Sequence, residues 1–127
     1  MKNVLAIDYG TKRIGLAVNK AGLAEPLAIL INDESVFEKI KQILEQKEID
    51  LILVGLSENK MAEKTKEFAQ ELGKKTKLPI EFTDETLSSK NVHQKLAHSH
   101  MKLKKRQKPI DHYAAAEFLQ EWLEINK

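Results

Sequence analysis

The chain has no cysteine among its 127 residues, so disulfides and thiolate-held metals are excluded and a reducing compartment suits it. Long apolar runs are missing too. No stretch approaches the roughly 18 apolar residues that a membrane span requires. The residues after Met1 pass through a short apolar run and meet Asp8, which is not the pattern of a targeting segment. These features give the expectation of a cytoplasmic protein with no membrane partner. There is no linker, internal repeat or low-complexity tract, so residues 1–127 read as one domain. A domain of this length can bury roughly two-thirds of the surface its unfolded chain exposes, enough for a core without covalent staples.

A further deficit is local. Between Thr86 and Ile110 there is no Asp or Glu, while Lys90, Lys95, Lys102, Lys104, Lys105, Arg106 and Lys108 supply seven positive charges. The net charge of +2 therefore conceals a segment of +7 and a remainder of −5. Positive charge gathered in one stretch suits a polyanion, because each neutralised phosphate releases condensed counterions. A solvated loop or helix face would account for the same composition. His93, His98 and His100 share this segment but form no convincing zinc set without a cysteine.

What is present alternates between strands and helices. Residues 4–8 (VLAID) are apolar on both faces, which suits a buried central strand. RIGLAVN and LAEPLAIL follow at short intervals and read as a meander. Val36, Phe37, Ile40, Ile43 and Leu44 fall at helical spacing with Asp33 as the expected cap. LILVG (51–55) reads as another buried strand. The helix after it carries an inner stripe of Met61, Thr65, Phe68 and Leu72, with Gly73 expected near its end. PIEFTDE reads as the last strand, and SSKNVHQKLAHS as a helix capped by Ser88 or Thr86. Pro109 announces a final helix whose inward positions are Ile110, Ala114, Ala115, Phe118, Leu119, Trp122 and Leu123. The order predicts an α/β sheet with helices on its faces and an antiparallel meander at one side. Ligands of such sheets bind beyond the carboxyl ends of the parallel strands.

Three carboxylates fall where that rule points. Asp8 ends the first strand on the face of Val4 and Ala6, where an unpaired charge costs several kcal/mol, on the order of the usual desolvation penalty. Asp-Tyr-Gly also opens a tight turn, and Lys12 and Arg13 are placed either to pair with Asp8 or to contact a phosphate. Asp84 and Glu85 end the last strand and point to opposite faces, so only one can share a site with Asp8; the pattern leaves the choice open. Asp111 enters a helix's first turn, where its charge suits the dipole, and Ala114 and Ala115 would let that helix approach the sheet closely. Three such oxygen donors suit Mg²⁺ or Mn²⁺. His112, beside Asp111, could serve as a ligand or proton shuttle.

Taken together, AIDYGTKRIGLAV, ILVGL, DETLSS and DHYAAAEFL resemble the YqgF family, also called RuvX, in the right order over essentially the whole chain. The resemblance implies an RNase H-like mixed five-stranded sheet of order 3-2-1-4-5 with helices on both faces. It also implies a metal-dependent nuclease (a hydrolase acting on ester bonds) whose catalytic and metal-binding residues are Asp8, Glu85 and Asp111. The family is associated with 5′-end maturation of pre-16S rRNA, and by analogy with Holliday-junction resolution. Nucleic acid is accordingly the expected partner, with structured RNA favoured, branched DNA as the alternative, and ribosomal precursor particles as the implied setting. Its expected contacts are Lys12, Arg13, Ser88, Lys90, Lys102, Lys104, Lys105, Arg106 and Lys108. A monomer is favoured over a dimer, because the last helix commits its apolar side chains to its own core.

The chain departs from the family pattern at two places and from RuvC-type resolvases at a third. Ser57 leads into a compact ENKM where the family has Pro and a longer loop, Thr86 replaces an Arg, and Ala114 stands where RuvC-type resolvases carry a second acidic residue. Two other readings stay open. DYGTKRIGLAV also resembles the first phosphate loop of actin- and hexokinase-like ATPases, and a binding factor without catalysis would need only the basic segment.

Overall fold

A computed structural model describes residues 2–56, 61–84 and 111–126. Its elements are β1 (Val4–Asp8), β2 (Arg13–Lys20), β3 (Leu23–Ile31), α1 (Val36–Gln46), β4 (Leu51–Leu56), α2 (Met61–Thr76), β5 (Ile80–Asp84) and α3 (Asp111–Ile125). The strands form one mixed sheet in the order β3-β2-β1-β4-β5. β1 pairs antiparallel with β2 and parallel with β4, and β4 pairs parallel with β5.

All five residues of β1 are buried, as expected of a strand apolar on both faces. Its alternation divides the core in two. Leu5 and Ile7 join Ile14, Leu16, Ile52 and Val54 beneath Val36, Ile40 and Leu44 of α1 and Phe68 and Leu72 of α2. Val4 and Ala6 join Ala17, Leu51 and Leu53 beneath Ala115, Phe118, Leu119 and Leu123 of α3. Helices therefore cover both faces, with α1 and α2 on one and α3 on the other.

The hairpin between β2 and β3 turns on Ala21 (φ 54°) and Gly22 (φ 83°). Positive φ at both central residues matches the twist of the flanking strands. Across that hairpin, Leu16 pairs with Ala28 but Ala17 with Pro26, a bulge that leaves Leu27 extra. An edge strand tolerates the missing N–H of Pro26 there.

Two helix ends differ from the sequence reading. Asp33 does not cap α1; Ser35 holds that position, and Asp33 instead accepts from the Ser35 N–H (2.9 Å) and hydroxyl (2.6 Å). Its short side chain closes a local turn two residues on, which competes with capping. Gly73 does lie in the last turn of α2, as expected, but it does not make the terminal turn, and the helix runs on to Thr76. Lys77, at φ 61°, makes the left-handed turn, and its N–H donates to the Gly73 carbonyl at 2.8 Å. Gly73 serves packing instead: a Cβ there would stand 3.2 Å from Ile80 Cδ1. The helix predicted within residues 88–99, and the inward placement of Ile110, lie outside the described residues.

Candidate functional site

Asp8 is the last residue of β1, and the residue is only 6% exposed although it ends a strand. Its parity with Val4 and Ala6 sets it on the α3 face. Across the β1–β2 pair it faces Gly15. On the other side, Gly55 follows Val54, the partner of Ile7. Asp8 thus has a glycine, Gly15, as its direct partner on β2, and on β4 Gly55 follows the last residue paired with β1. Tyr9 points the opposite way, its ring 4.7 Å from that of Phe68, which lies 5.2 Å from Phe37. The strand end is consequently anchored in one core while its carboxylate faces the other.

The loop from Tyr9 to Lys12 turns the chain into β2. A Cβ at Gly10 would meet the Arg13 carbonyl oxygen at 2.5 Å, so only glycine allows the fold-back. Asn32, just beyond β3, braces this loop twice. Its backbone N–H donates to the Lys12 carbonyl (2.9 Å) and its Nδ2 to the Gly10 carbonyl (2.9 Å). Lys12 and Arg13 are both exposed at this end of the sheet.

Two hydrogen bonds hold α3 across the sheet. Gln120 Oε1 accepts from the Ala24 N–H on β3 at 2.8 Å, and Trp122 Nε1 donates to Glu81 Oε2 on β5 at 2.8 Å. Ala24 pairs with Asn19, whose side chain accepts from the Val4 N–H, so Gln120 lies near the level where β1 begins. Nine helical residues back from Gln120 span about 13 Å, and β1 from Val4 to Asp8 also spans about 13 Å. α3 is therefore long enough for its start at Asp111 to reach the end of the sheet that carries Asp8. Ala114 and Ala115, both buried, permit this close approach.

On β5, Glu81 pairs with Leu53 and Thr83 with Gly55, which sets the odd-numbered residues of this strand on the α3 face. Glu85 lies outside the described residues, as do Ser88, Lys90, Lys102, Lys104, Lys105, Arg106, Lys108, Ser57 and Thr86. The side chains of Asp84, Asp111 and His112 are likewise outside them. Among the described residues no three His, Cys, Asp or Glu side chains gather as a metal site. Asp8 itself, an almost fully buried carboxylate, is the kind of oxygen donor that a hard divalent ion takes.

Sequence reasoning singled out Asp8, which the structure buries at the end of β1, Lys12 and Arg13, which it exposes, and the small residues Ala114 and Ala115, which it buries. It missed the brace from Asn32 and the α3 tethers of Gln120 and Trp122. These join residues 22, 96 and 41 positions apart, and no local pattern signals them.

The mixed 3-2-1-4-5 sheet, with helices on both faces and a buried carboxylate ending its central strand, has the RNase H-like fold. The RuvC structure from Thermus thermophilus with a Holliday junction substrate shares this fold at a TM-score of 0.62 and 13% identity, covering 99% of this chain and 96% of that one. The fowlpox virus resolvase with Holliday junction DNA matches at a TM-score of 0.53 and 14% identity, covering 95% and 98%.

The chain belongs to the RuvX family, whose model, described as Holliday junction resolvase, matches residues 2–125. Relatives named as candidate pre-16S rRNA nucleases include one from Koribacter versatilis, 37% identical over 95% of this chain and 86% of its own. Another, from Sulfurihydrogenibium, is 36% identical over 98% and 91%. The enzyme class is that of a nuclease, a hydrolase acting on nucleic-acid ester bonds. Among the described residues no helix is long and apolar enough to cross a membrane.

Proposed function

We propose that the chain is a divalent-metal-dependent nuclease that matures the 5′ end of pre-16S rRNA, with Asp8, Glu85 and Asp111 as its acidic centre. The observation that carries this reading is the buried Asp8, which ends β1 opposite Gly15 on the face that α3 covers. The α3-facing parity of Glu81 and Thr83 supports Glu85, the next residue in that alternation, over Asp84. The names borne by the relatives support RNA as substrate.

Asp8, Glu85 and Asp111 would hold Mg²⁺ or Mn²⁺. A divalent ion bound there supplies Lewis-acid polarisation of the phosphodiester and a water of lowered pKa. Lys12 and Arg13 sit at the same end of the sheet and would neutralise the scissile strand's phosphates, while Ser88, Lys90, Lys102, Lys104, Lys105, Arg106 and Lys108 grip the flanking backbone. By analogy with the fold, cleavage leaves a 5′-phosphate and a 3′-hydroxyl. One acidic centre in a monomer suffices to trim a single strand.

A second reading is junction resolution, favoured by the family description and by the likeness to RuvC. Resolution needs two sites related by a two-fold axis. Cleavage of a pre-16S 5′-leader RNA and of a four-way DNA junction, under identical salt and Mn²⁺, separates the two. Specific trimming of the leader supports the first reading; paired symmetric nicks in the junction, with the RNA left intact, reverse it. Calorimetric titration with Mg²⁺, Mn²⁺ and ATP tests the rest: tight ATP binding would favour a phosphate-loop protein, and no binding at all a non-catalytic factor.

A further inference from the structure

We propose that Asn32 is the positioning residue of the β1–β2 loop, fixing Lys12 and Arg13 in the geometry that grips a nucleic-acid phosphate. The proposal rests on the nuclease reading for the identity of its ligand. The loop is short, and a single residue spans it: the Asn32 N–H takes the Lys12 carbonyl and Nδ2 takes the Gly10 carbonyl, each at 2.9 Å. Between those points Gly10 folds back onto the Arg13 carbonyl so tightly that any side chain would clash. Arg13 pairs with Ile31, the residue before Asn32, so β3 delivers the amide to the loop directly.

The physical consequence is preorganisation. Ordering a loop at the moment of binding costs conformational entropy, and a loop already fixed on folding avoids that cost. Two adjacent cations then leave the sheet on a set path beside the end of β1. The chemistry of the brace selects asparagine. An aspartate would oppose a carboxylate to the Gly10 carbonyl, and an alanine would leave that carbonyl without its donor.

The test measures binding of a fluorescein-labelled RNA hairpin with a single-stranded 5′ extension, in EDTA, across a salt series and below the melting temperature of each variant. Each phosphate contact contributes about 0.7 to 0.9 to the slope of log affinity against log salt. Asn32→Ala carries no charge change, yet it is expected to lower the slope by about 1 to 2, as Lys12→Ala with Arg13→Ala does. Adding Asn32→Ala to that pair should lower it no further. Asn32→Ser, likewise uncharged and with the backbone bond to Lys12 kept, serves the same measurement if the alanine variant does not fold.

An unchanged slope in the folded Asn32 variant, or a loss additive with Lys12 and Arg13, would overturn the proposal and reduce Asn32 to a brace for stability. Cleavage with Mn²⁺ is read separately. A slope that falls in the variants as expected, with a wild-type chain that never cuts, would defeat the nuclease reading and leave the loop's role standing.

Discussion

Trp122 donates its indole N–H to Glu81 at 2.8 Å, tying the last helix to edge strand β5, while two residues earlier Gln120 reaches the opposite edge at Ala24. Anchored to both edges, α3 cannot swing freely over the sheet. Its heading across the sheet is held at both edges. Trp122→Phe removes the donor and keeps most of the ring, so it should cost about 1 kcal/mol in urea unfolding. Glu81→Gln retains an acceptor and should cost less. Trp122 is the chain's one tryptophan, so its fluorescence reports undocking of α3 directly.

Asp8→Asn, Glu85→Gln and Asp111→Asn should each reduce Mn²⁺-dependent cleavage to below about one-hundredth, a loss at least as large as outer-shell substitutions at metal sites cause. Melting temperature in EDTA should hold or rise, because neutralising one carboxylate of the proposed acidic centre would relieve repulsion within it. Loss of stability in all three with cleavage intact would remove them from the site.

Neutralising Lys104, Lys105 and Arg106 together should weaken nucleic-acid binding regardless of sequence and lower the salt slope by about 2 to 3. A slope equal to the wild type's would turn this stretch away from the substrate.

Ala115 is fully buried in the core that also contains Ala6 and Ala17. Ala115→Leu overpacks that contact and should cost about 1 to 3 kcal/mol. By lifting α3 from the sheet it should also depress cleavage more than RNA binding in EDTA, a comparison made on the same preparation.

The Ser35 hydroxyl, and then its N–H, hold the Asp33 carboxyl below its ordinary value of 3.8. A lowered folded-state value means stability that is fully present above the unfolded pKa and lost as the pH falls through the folded one. Ser35→Ala should therefore lower the melting temperature slightly at neutral pH. The difference from wild type should shrink once the pH drops below both values. Asp33 is fully exposed, so the effect is small.

Much of this architecture follows from periodicity. β1 is legible because residues 4 to 7 are apolar on both faces, α1 because Val36, Ile40 and Leu44 recur at helical spacing, and α3 because its alanines and large apolar residues share one stripe. Asp8 was legible as a candidate for the same reason, being the one charge on a strand otherwise buried. The ends of α1 and α2 were not. Asp33 and Gly73 have the composition of a cap and a stop, yet a turn at Ser35 and the approach of Ile80 claim them.

The sequence by itself determined which segments are strands and helices, which of their faces are apolar, and that a carboxylate closes the central strand. Those properties depend on neighbours within a turn or a pleat. Tertiary structure alone decided that Asn32 braces the loop after Asp8, that Glu81 receives Trp122, and that Gly73 makes room for Ile80. Each of these is a contact between separate elements, set by strand register and helix approach. A one-dimensional pattern says which face a residue is on, but not which residue of another element lies opposite it.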